Sequence, residues 1–579
     1  MKNNTHLKLV LGDWQWNASI YGFINIVGKE NVDLIEDTVT FSTDLLEGFA
    51  EKYFGYFIRT YEKTLSWYKI VSFAEKMEAY EDDAFAGFNL EALKSFNIYL
   101  KDVKRFLKSN SYKAAYELIT LNVDMPSLEK QLTAIKEPKD QQQFEAGKSG
   151  IITEVQNNFI VLRPIIAYCN SPEGKKYIRA KNVIYTIINN AWDGVSFLDR
   201  QPKEKDVYTS YKKYFVDGAV EYLQQNKSHH KYNCFICDAP IKDLNHTLSF
   251  LNETGFDVGK KSSHVWDFQN DIALCPLCKL IYSCLPAGLA YGYNHGLYIN
   301  ANQDVETVFK INHVLKTEIL GVKEGNIRTI YPILVNALHQ KEHDTAKYEL
   351  ADIQVVRYEN DSYRFNILSR KMLEIIVESK DELDGLLKAV FMENGMTVRV
   401  YDEVIVRIFN NQNLFTLIHR MIYHKLANPA RCYFNGAHIM YLLKINQKIY
   451  TRLGGMEVER GEETRQNQFL IGNAKEAGQN LRKRYYGKDA QHKLPGICYR
   501  LLNALKTANK DMFMDVTLNC YLYVRAQVPE VITRALSNEK DFSTMGYAFV
   551  AALIDEPEGK SLPGEKENTA PEAGEEELV

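Results

Sequence analysis

Two Cys-x-x-Cys pairs, Cys234-Phe-Ile-Cys237 and Cys275-Pro-Leu-Cys278, constrain this chain more than any other feature. Two tight knuckles deliver four thiolates, the ligand set of a closed tetrahedral Zn²⁺ site. A redox pair of the thioredoxin kind needs only one such motif, so the second pair argues against it. Four sulfur ligands leave no open coordination position. The expected zinc is therefore a structural staple and not a water-activating centre. Cys284 follows six residues later and reads as a small buried hydrophobe beside Leu285. His246 and His264 lie between the knuckles as alternative ligands. Gly259-Lys-Lys-Ser-Ser-His264, also between them, is a basic, hydroxyl-rich loop. Lys260 and Lys261 suit phosphate contact, against the plainer reading of a solvated loop tip.

Nine cysteines in 579 residues are too few for a disulfide scaffold. The amino terminus lacks a basic region leading into an apolar one, and the longest apolar run, Leu280 to Tyr293, falls short of the roughly 18 residues of a membrane span. A cytoplasmic protein with no membrane partner is expected. The net charge is −4, but nine acids and two lysines from Asp555 to Val579 give that segment −7 and leave +3 for the remainder. Any polyanion site must then be a local patch. One such patch is evident. Arg482, Lys483, Arg484, Lys488, Lys493, Arg500 and Lys506 share a stretch whose only acid is Asp489, with Tyr485, Tyr486 and His492 interleaved. Cations for phosphates and rings for stacking suit single-stranded nucleic acid, whereas a solvated helix face is the competing reading.

Catalytic motifs are sparse. His339-Gln-Lys-Glu-His343 matches the pattern of inverted zinc proteases, with His339 and His343 as ligands and Glu342 as base. A third ligand is missing, and the wet neighbours Lys341 and Asp344 disfavour it. No phosphate loop, dinucleotide fingerprint, nucleophile elbow or deaminase His-x-Glu is present, which favours a binding protein over an enzyme.

The patterning predicts a predominantly helical α+β fold. Residues 1–230 read as a mainly helical region, 231–290 as the zinc-knuckle element and 291–453 as α+β with a hairpin, Ile353–Tyr358 against Tyr363–Leu368. A linker over 454–465, a helical bundle over 466–555 and a disordered acidic tail over 556–579 complete the division. Ile20, Phe23, Ile24 and Val27 mark one buried helical stripe, with Gly28 as its stop, and Leu93, Phe96, Leu100, Val103 and Leu107 mark another. Lys136–Gly150 reads as an exposed loop. Ile151-Ile-Thr and Asn182–Ile188 read as β-branched runs. In the bundle, Leu470, Ala474, Ala477, Leu481 and Tyr485 share a face, as do Leu494, Cys498, Leu501 and Leu505, and then Val516, Cys520 and Tyr523. Pro529 should open one further helix and Ser543 cap the last.

Three stretches carry a family resemblance: Asp13-Trp-Gln-Trp-Asn-Ala-Ser-Ile-Tyr-Gly-Phe23, the second knuckle continuing as Cys275-Pro-Leu-Cys-Lys-Leu-Ile-Tyr-Ser-Cys-Leu-Pro-Ala-Gly288, and Lys493-Leu-Pro-Gly-Ile-Cys-Tyr-Arg-Leu-Leu-Asn503. Together they resemble the CXXC–CXXC family, the large subunit of the type I-B CRISPR interference complex, Cascade. Ser19 stands where the family pattern has glycine. The resemblance implies a non-catalytic subunit of an antiviral ribonucleoprotein. Its partners would be guide RNA, other Cascade subunits, target duplex and displaced single-stranded DNA, and a helicase-nuclease. It would help recognise the protospacer-adjacent motif and stabilise the R-loop, with Cys234, Cys237, Cys275 and Cys278 on zinc. Lys260 and Lys261 would lie near the motif, and the cations from Arg482 to Arg500 on a DNA strand. It further implies an antiparallel carboxy-terminal bundle like the complex's small subunit, with Met456 as a candidate internal start.

Overall fold

The computed structural model describes residues 6–253, 273–292, 295–301, 304–321, 332, 335, 353–359, 361–453, 462–534 and 539–555. Lys260, Lys261, His264, His339, Glu342, His343, Met456 and the acidic tail, all singled out in the sequence, lie outside them. The described residues are mostly helical with small antiparallel sheets, as the patterning predicts. They form two compact units, one of the described residues within Met1–Ile327 and Gln354–Phe365, the other of those within Arg328–Ile353 and Asn366–Val579. Among the described residues no helix is long and apolar enough to cross a membrane.

In the first unit, strands β1 (His6–Val10), β2 (Asp33–Ile35) and β3 (Thr38–Ser42) pair antiparallel in the order β1-β3-β2. Helix α1 (Trp14–Val27) starts at Asp13, whose carboxylate accepts the amides of Gln15 and Trp16, and ends at Gly28. Its stripe Ile20, Phe23, Ile24 and Val27 is buried. Helices α2 (Phe49–Tyr61) and α3 (Leu90–Lys108) follow, and the predicted α3 stripe is buried throughout.

The loop expected over Lys136–Gly150 is instead largely helix. Helix α4 spans Gln141–Asn170, capped by Asp140 accepting from the Gln143 amide at 2.8 Å. Its first turns are polar because they are exposed, and Phe144 alone anchors them in the core. Both β-branched runs, which counted toward the β part of the expected α+β mix, are helical as well. Ile151-Ile-Thr lies inside α4, and Asn182–Thr186 closes helix α5 (Pro172–Thr186) before a short 3₁₀ turn. The end of α5 is buried on every side from Ala180 to Ile184, so tertiary packing outweighs β-propensity there.

The chain then forms the hairpin β4 (Tyr232–Asn233) and β5 (Pro240–Ile241), followed by helices α6 (Pro276–Tyr282) and α7 (Leu285–Gly288). Strands β6 (Ala290–Gly292), β7 (His295–Asn300), β8 (Ile353–Glu359) and β9 (Ser362–Leu368) form a sheet in that order, and β8–β9 is the predicted hairpin. Helix α8 (Val305–Gly321) lies between β7 and β8 in sequence. Helices α1 and α7 approach backbone to backbone. A Cβ on Gly22 would collide with the Cys284 carbonyl oxygen, and one on Gly288 with that of Ala18.

The second unit has a small sheet of β10 (Val390–Glu393), β11 (Met396–Arg399) and β12 (Cys432–Tyr433), in the order β11-β10-β12. Its carboxy-terminal part comprises α9 (Gly436–Leu453), α10 (Glu462–Tyr486), α11 (Leu494–Lys506), α12 (Lys510–Val524), the short helix Glu530–Arg534 after Pro529, and α13 (Glu539–Ile554). Helix α10 opens inside the stretch read as linker, and Ser543 sits within α13 rather than capping it. The expected faces Ala474–Tyr485 and Leu494–Leu505 are buried. Tyr523 is not in the core. It is 41% exposed, because the α12 stripe runs from Val516 and Cys520 on to Tyr521 and Val524.

Two expectations follow. Gly288→Ala should destabilise the first unit by about 1–3 kcal/mol, the usual cost of overpacking against rigid backbone, read from chemical denaturation. The second concerns Lys316 of α8, which is buried with its ammonium on the Tyr56 hydroxyl and the Ala287 carbonyl (3.3 Å) and over the Tyr21 ring. Burial holds its pKa down to about 7. From about pH 7 upward the unfolded chain binds a proton that the folded one does not, so stability rises with pH by up to about 1.4 kcal/mol per unit. Below about 7 both states are charged and this slope vanishes. Lys316→Met should raise stability at pH 7 and remove that part of the slope between pH 7 and 9.

Candidate metal centre and cationic corner

The first knuckle is a tight turn joining β4 to β5. The Cys234 amide donates to the Ala239 carbonyl and the Asp238 amide to the Cys234 carbonyl, each at 2.9 Å. Asp238 takes the left-handed conformation at φ 56° and accepts from the Asn233 side chain at 3.0 Å. In the second knuckle Cys275 caps α6, its sulfur accepting the Cys278 amide at 3.3 Å, with Pro276 at the first helical position where no amide is needed. The knuckles are tied directly by the Phe235 amide on the Ala273 carbonyl, 2.9 Å.

Cys234, Cys237, Cys275 and Cys278 thereby converge, with all four sulfurs within 4.8 Å of one another. A zinc ion with Zn–S near 2.3 Å at a tetrahedral centre needs sulfurs about 3.8 Å apart. The Cys237–Cys275 separation is 3.7 Å. Cys237 is exposed and the other three are buried. The sulfurs also govern one another's ionisation. Hydrogen bonding to Cys237 leads the downward shift at Cys234, and hydrogen bonding to Cys234 leads the upward shifts at Cys275 and Cys278. Four thiolates this close are stable together only around a cation. The donor set therefore fits zinc. When bound, the ion supplies cross-linking between the knuckles and no catalytic position.

Cys284 is no ligand. It is fully buried, donates to the Leu280 carbonyl at 3.5 Å, and burial pushes its thiol pKa up. Among the described residues the sulfur cluster holds no histidine, and His246 lies outside it. Lys279, next to Cys278, places its ammonium 3.9 Å over the Tyr214 ring and 5.8 Å over that of Phe215.

The predicted cationic residues divide. Lys483, Arg484, Lys488, Lys493 and Arg500 are exposed, and no carboxylate of the described residues pairs with any of them. Arg482 does not join them, which corrects its place in the expected surface patch. It is only 7% exposed, and its Nη1 is buried without a hydrogen-bond partner. Helical phase explains the difference, since Arg482 lies one turn beyond Gly478, which packs against Phe549 of α13. Tyr485 is also core and leaves no face for stacking.

A residue missed in the sequence takes its place. Lys488 donates to the Tyr523 carbonyl at 2.7 Å and Lys493 to its hydroxyl at 3.3 Å. The two ammonium groups stand 5.2 and 4.4 Å from the Tyr523 ring centroid. Tyr485 supports that ring from beneath at 5.3 Å, while Tyr486 is exposed nearby in sequence. Tyr523 lies thirty residues past Lys493, so no local spacing signalled it. The end of α10, the 3₁₀ turn Gln491–Lys493 and the end of α12 thus build one corner carrying cations and an aromatic ring.

Residues 227–290 match the family model described as CRISPR-associated protein (Cas_CXXC_CXXC). The match covers both knuckles and α6–α7, and it supports a CRISPR-associated protein of this family. No curated protein and no solved structure matches the chain.

Cys275→Ser, or a strong chelator, should remove about one equivalent of zinc per chain and lower the melting temperature of the first unit. Cys284→Ala should leave metal content unchanged. Metal analysis beside calorimetry separates the two, and equal zinc in both variants would refute the four-sulfur site.

Proposed function

We propose that this chain is the non-catalytic large subunit of a type I-B CRISPR interference complex, Cascade. In this role it binds target DNA, helps recognise the protospacer-adjacent motif, stabilises the R-loop and helps recruit the helicase-nuclease. The observation that carries the reading is the family match over residues 227–290, which spans the four converging sulfurs. A closed sulfur set is suited to holding a recognition surface and leaves chemistry to another subunit. Guide RNA pairing reads most of the target in such a complex, so the protein's share is motif reading and backbone contact. Lys260 and Lys261 are assigned to the duplex near the motif. Lys483, Arg484, Lys488, Lys493 and Arg500 are assigned to a DNA strand, and the helices from α10 to α13 to the role of the complex's small subunit.

Coexpression with a guide array and the neighbouring genes should yield a guide-containing ribonucleoprotein that includes this chain, and its absence from that particle would overturn the proposal. Within the particle, Lys483→Gln, Arg484→Gln, Lys488→Gln and Lys493→Gln together should weaken target binding. They should also flatten its dependence on log salt by about 0.7 per lost single-strand contact. An unchanged slope would remove these residues from the interface.

A further inference from the structure

We infer that the cationic corner is a docking surface for the chain's own acidic segment, residues 556–579. This inference does not depend on the proposed function.

Three observations point to it. The corner presents four exposed cations, Lys483, Arg484, Lys488 and Lys493, none of them paired with a carboxylate of the described residues, against a single acid, Asp489, which accepts from the Gln491 side chain at 3.0 Å. The segment 556–579 carries eight glutamates and two lysines, a net −6, and is the strongest run of opposite sign in a chain whose remainder is close to neutral. Its origin is also fixed, within reach of the corner. Asp555, directly after α13, accepts the Gly436 amide at 2.9 Å. Helix α13 lies against α10, with Phe549 at Gly478. Six residues of α13 separate Phe549 from Asp555, and five to ten residues of chain separate Gly478 from Lys483 and Lys488. At about 1.5 Å per helical residue, the corner is on the order of 25 Å from Asp555. Twenty-four residues span up to about 80 Å, so reach is not limiting.

The energetics favour the intramolecular partner. Exposed charges are screened over about 8 Å at physiological salt, so one pair contributes little, while several glutamates facing several cations act together. Tethering adds an effective concentration in the millimolar range, enough for a weak contact to be well occupied. Tyr523 helps by holding Lys488 and Lys493 side by side, which lowers the entropy lost when a carboxylate binds. The bound segment would cover the same cations that a nucleic-acid backbone needs, so a polyanion must displace it.

The test uses the full-length chain without nucleic acid. A fluorescent peptide of residues 556–579 is titrated at low salt onto a variant whose eight tail glutamates are glutamine, which leaves the corner open. Binding should weaken at least tenfold when Lys483→Glu, Arg484→Glu, Lys488→Glu and Lys493→Glu are added. It should weaken about tenfold on the wild-type chain, whose own segment competes. Lys175→Glu with Lys176→Glu, at exposed cations of α5, should have no effect. Equal binding to the corner-reversed variant, equal binding to wild type, or no binding at all would each overturn the inference. Should the reversed variant not fold, a photo-crosslinker at Glu576 of the otherwise wild-type chain decides instead. Adducts on residues 483–500 or Tyr523 support docking, and adducts confined to other surfaces refute it. Peptide docking at the corner by a wild-type chain whose assembled particle fails to bind target DNA would overturn the proposed function and leave this inference standing.

Discussion

The first unit depends on one close approach, the packing of α1 onto the turn from Cys284 to Gly288. Two glycines permit it, because a Cβ at Gly22 or Gly288 would meet a carbonyl of the facing backbone. The same turn is gripped from three other directions. The Ser283 carbonyl accepts from the Tyr53 hydroxyl at 3.0 Å and from the Trp192 indole at 3.1 Å, and the Ser283 hydroxyl meets that of Tyr211 at 2.6 Å. Since α6 begins at Cys275 and runs directly into this turn, the second knuckle is the amino-terminal end of a core helix and not an appendage. Metal binding at the knuckles is therefore coupled to the packing of α1 and α2 as well as to the local loop.

That coupling explains how charge is handled inside the unit. A zinc ion with four thiolates carries a net −2, and the adjacent core holds lysines without carboxylate partners close by. Lys279 rests over Tyr214 and Phe215, and Lys316 over Tyr21 and Tyr56. Burial holds them down to about 8 and about 7. Aromatic faces and carbonyls take the place that acids usually hold, which lets these lysines pack as largely apolar stems.

What was legible in the sequence follows from which signals are local. The cysteine spacing fixed the sulfur cluster because both knuckles are closed by contacts within a few residues. The α3 stripe was legible because that helix packs a single face on the core, whereas α1 is buried almost all round and its stripe is one part of a wider apolar surface. Helix α4 was not, since its first turns are solvated and polar residues on an exposed helix resemble those of a loop. The β-branched run at Asn182 was misread because Asn182 itself is held by tertiary partners, accepting from the Trp67 amide at 3.0 Å and the Ser66 hydroxyl at 2.8 Å. Propensity carries no information about such contacts.

The cationic corner shows the same limit at the scale of a site. Counting charge along residues 482–506 locates the right region, but it cannot tell Arg482 from Lys483, which differ by about 100° around one helix. One points into the core with an unpartnered nitrogen and the other into solvent. Likewise Tyr485 and Tyr486 are neighbours in sequence with opposite roles, the first supporting the ring of Tyr523 and the second exposed. A run of basic and aromatic residues therefore specifies a binding surface only once helical phase has been assigned. Here that phase leaves the ring of Tyr523, contributed by another helix, as the platform on which Lys488 and Lys493 are arranged.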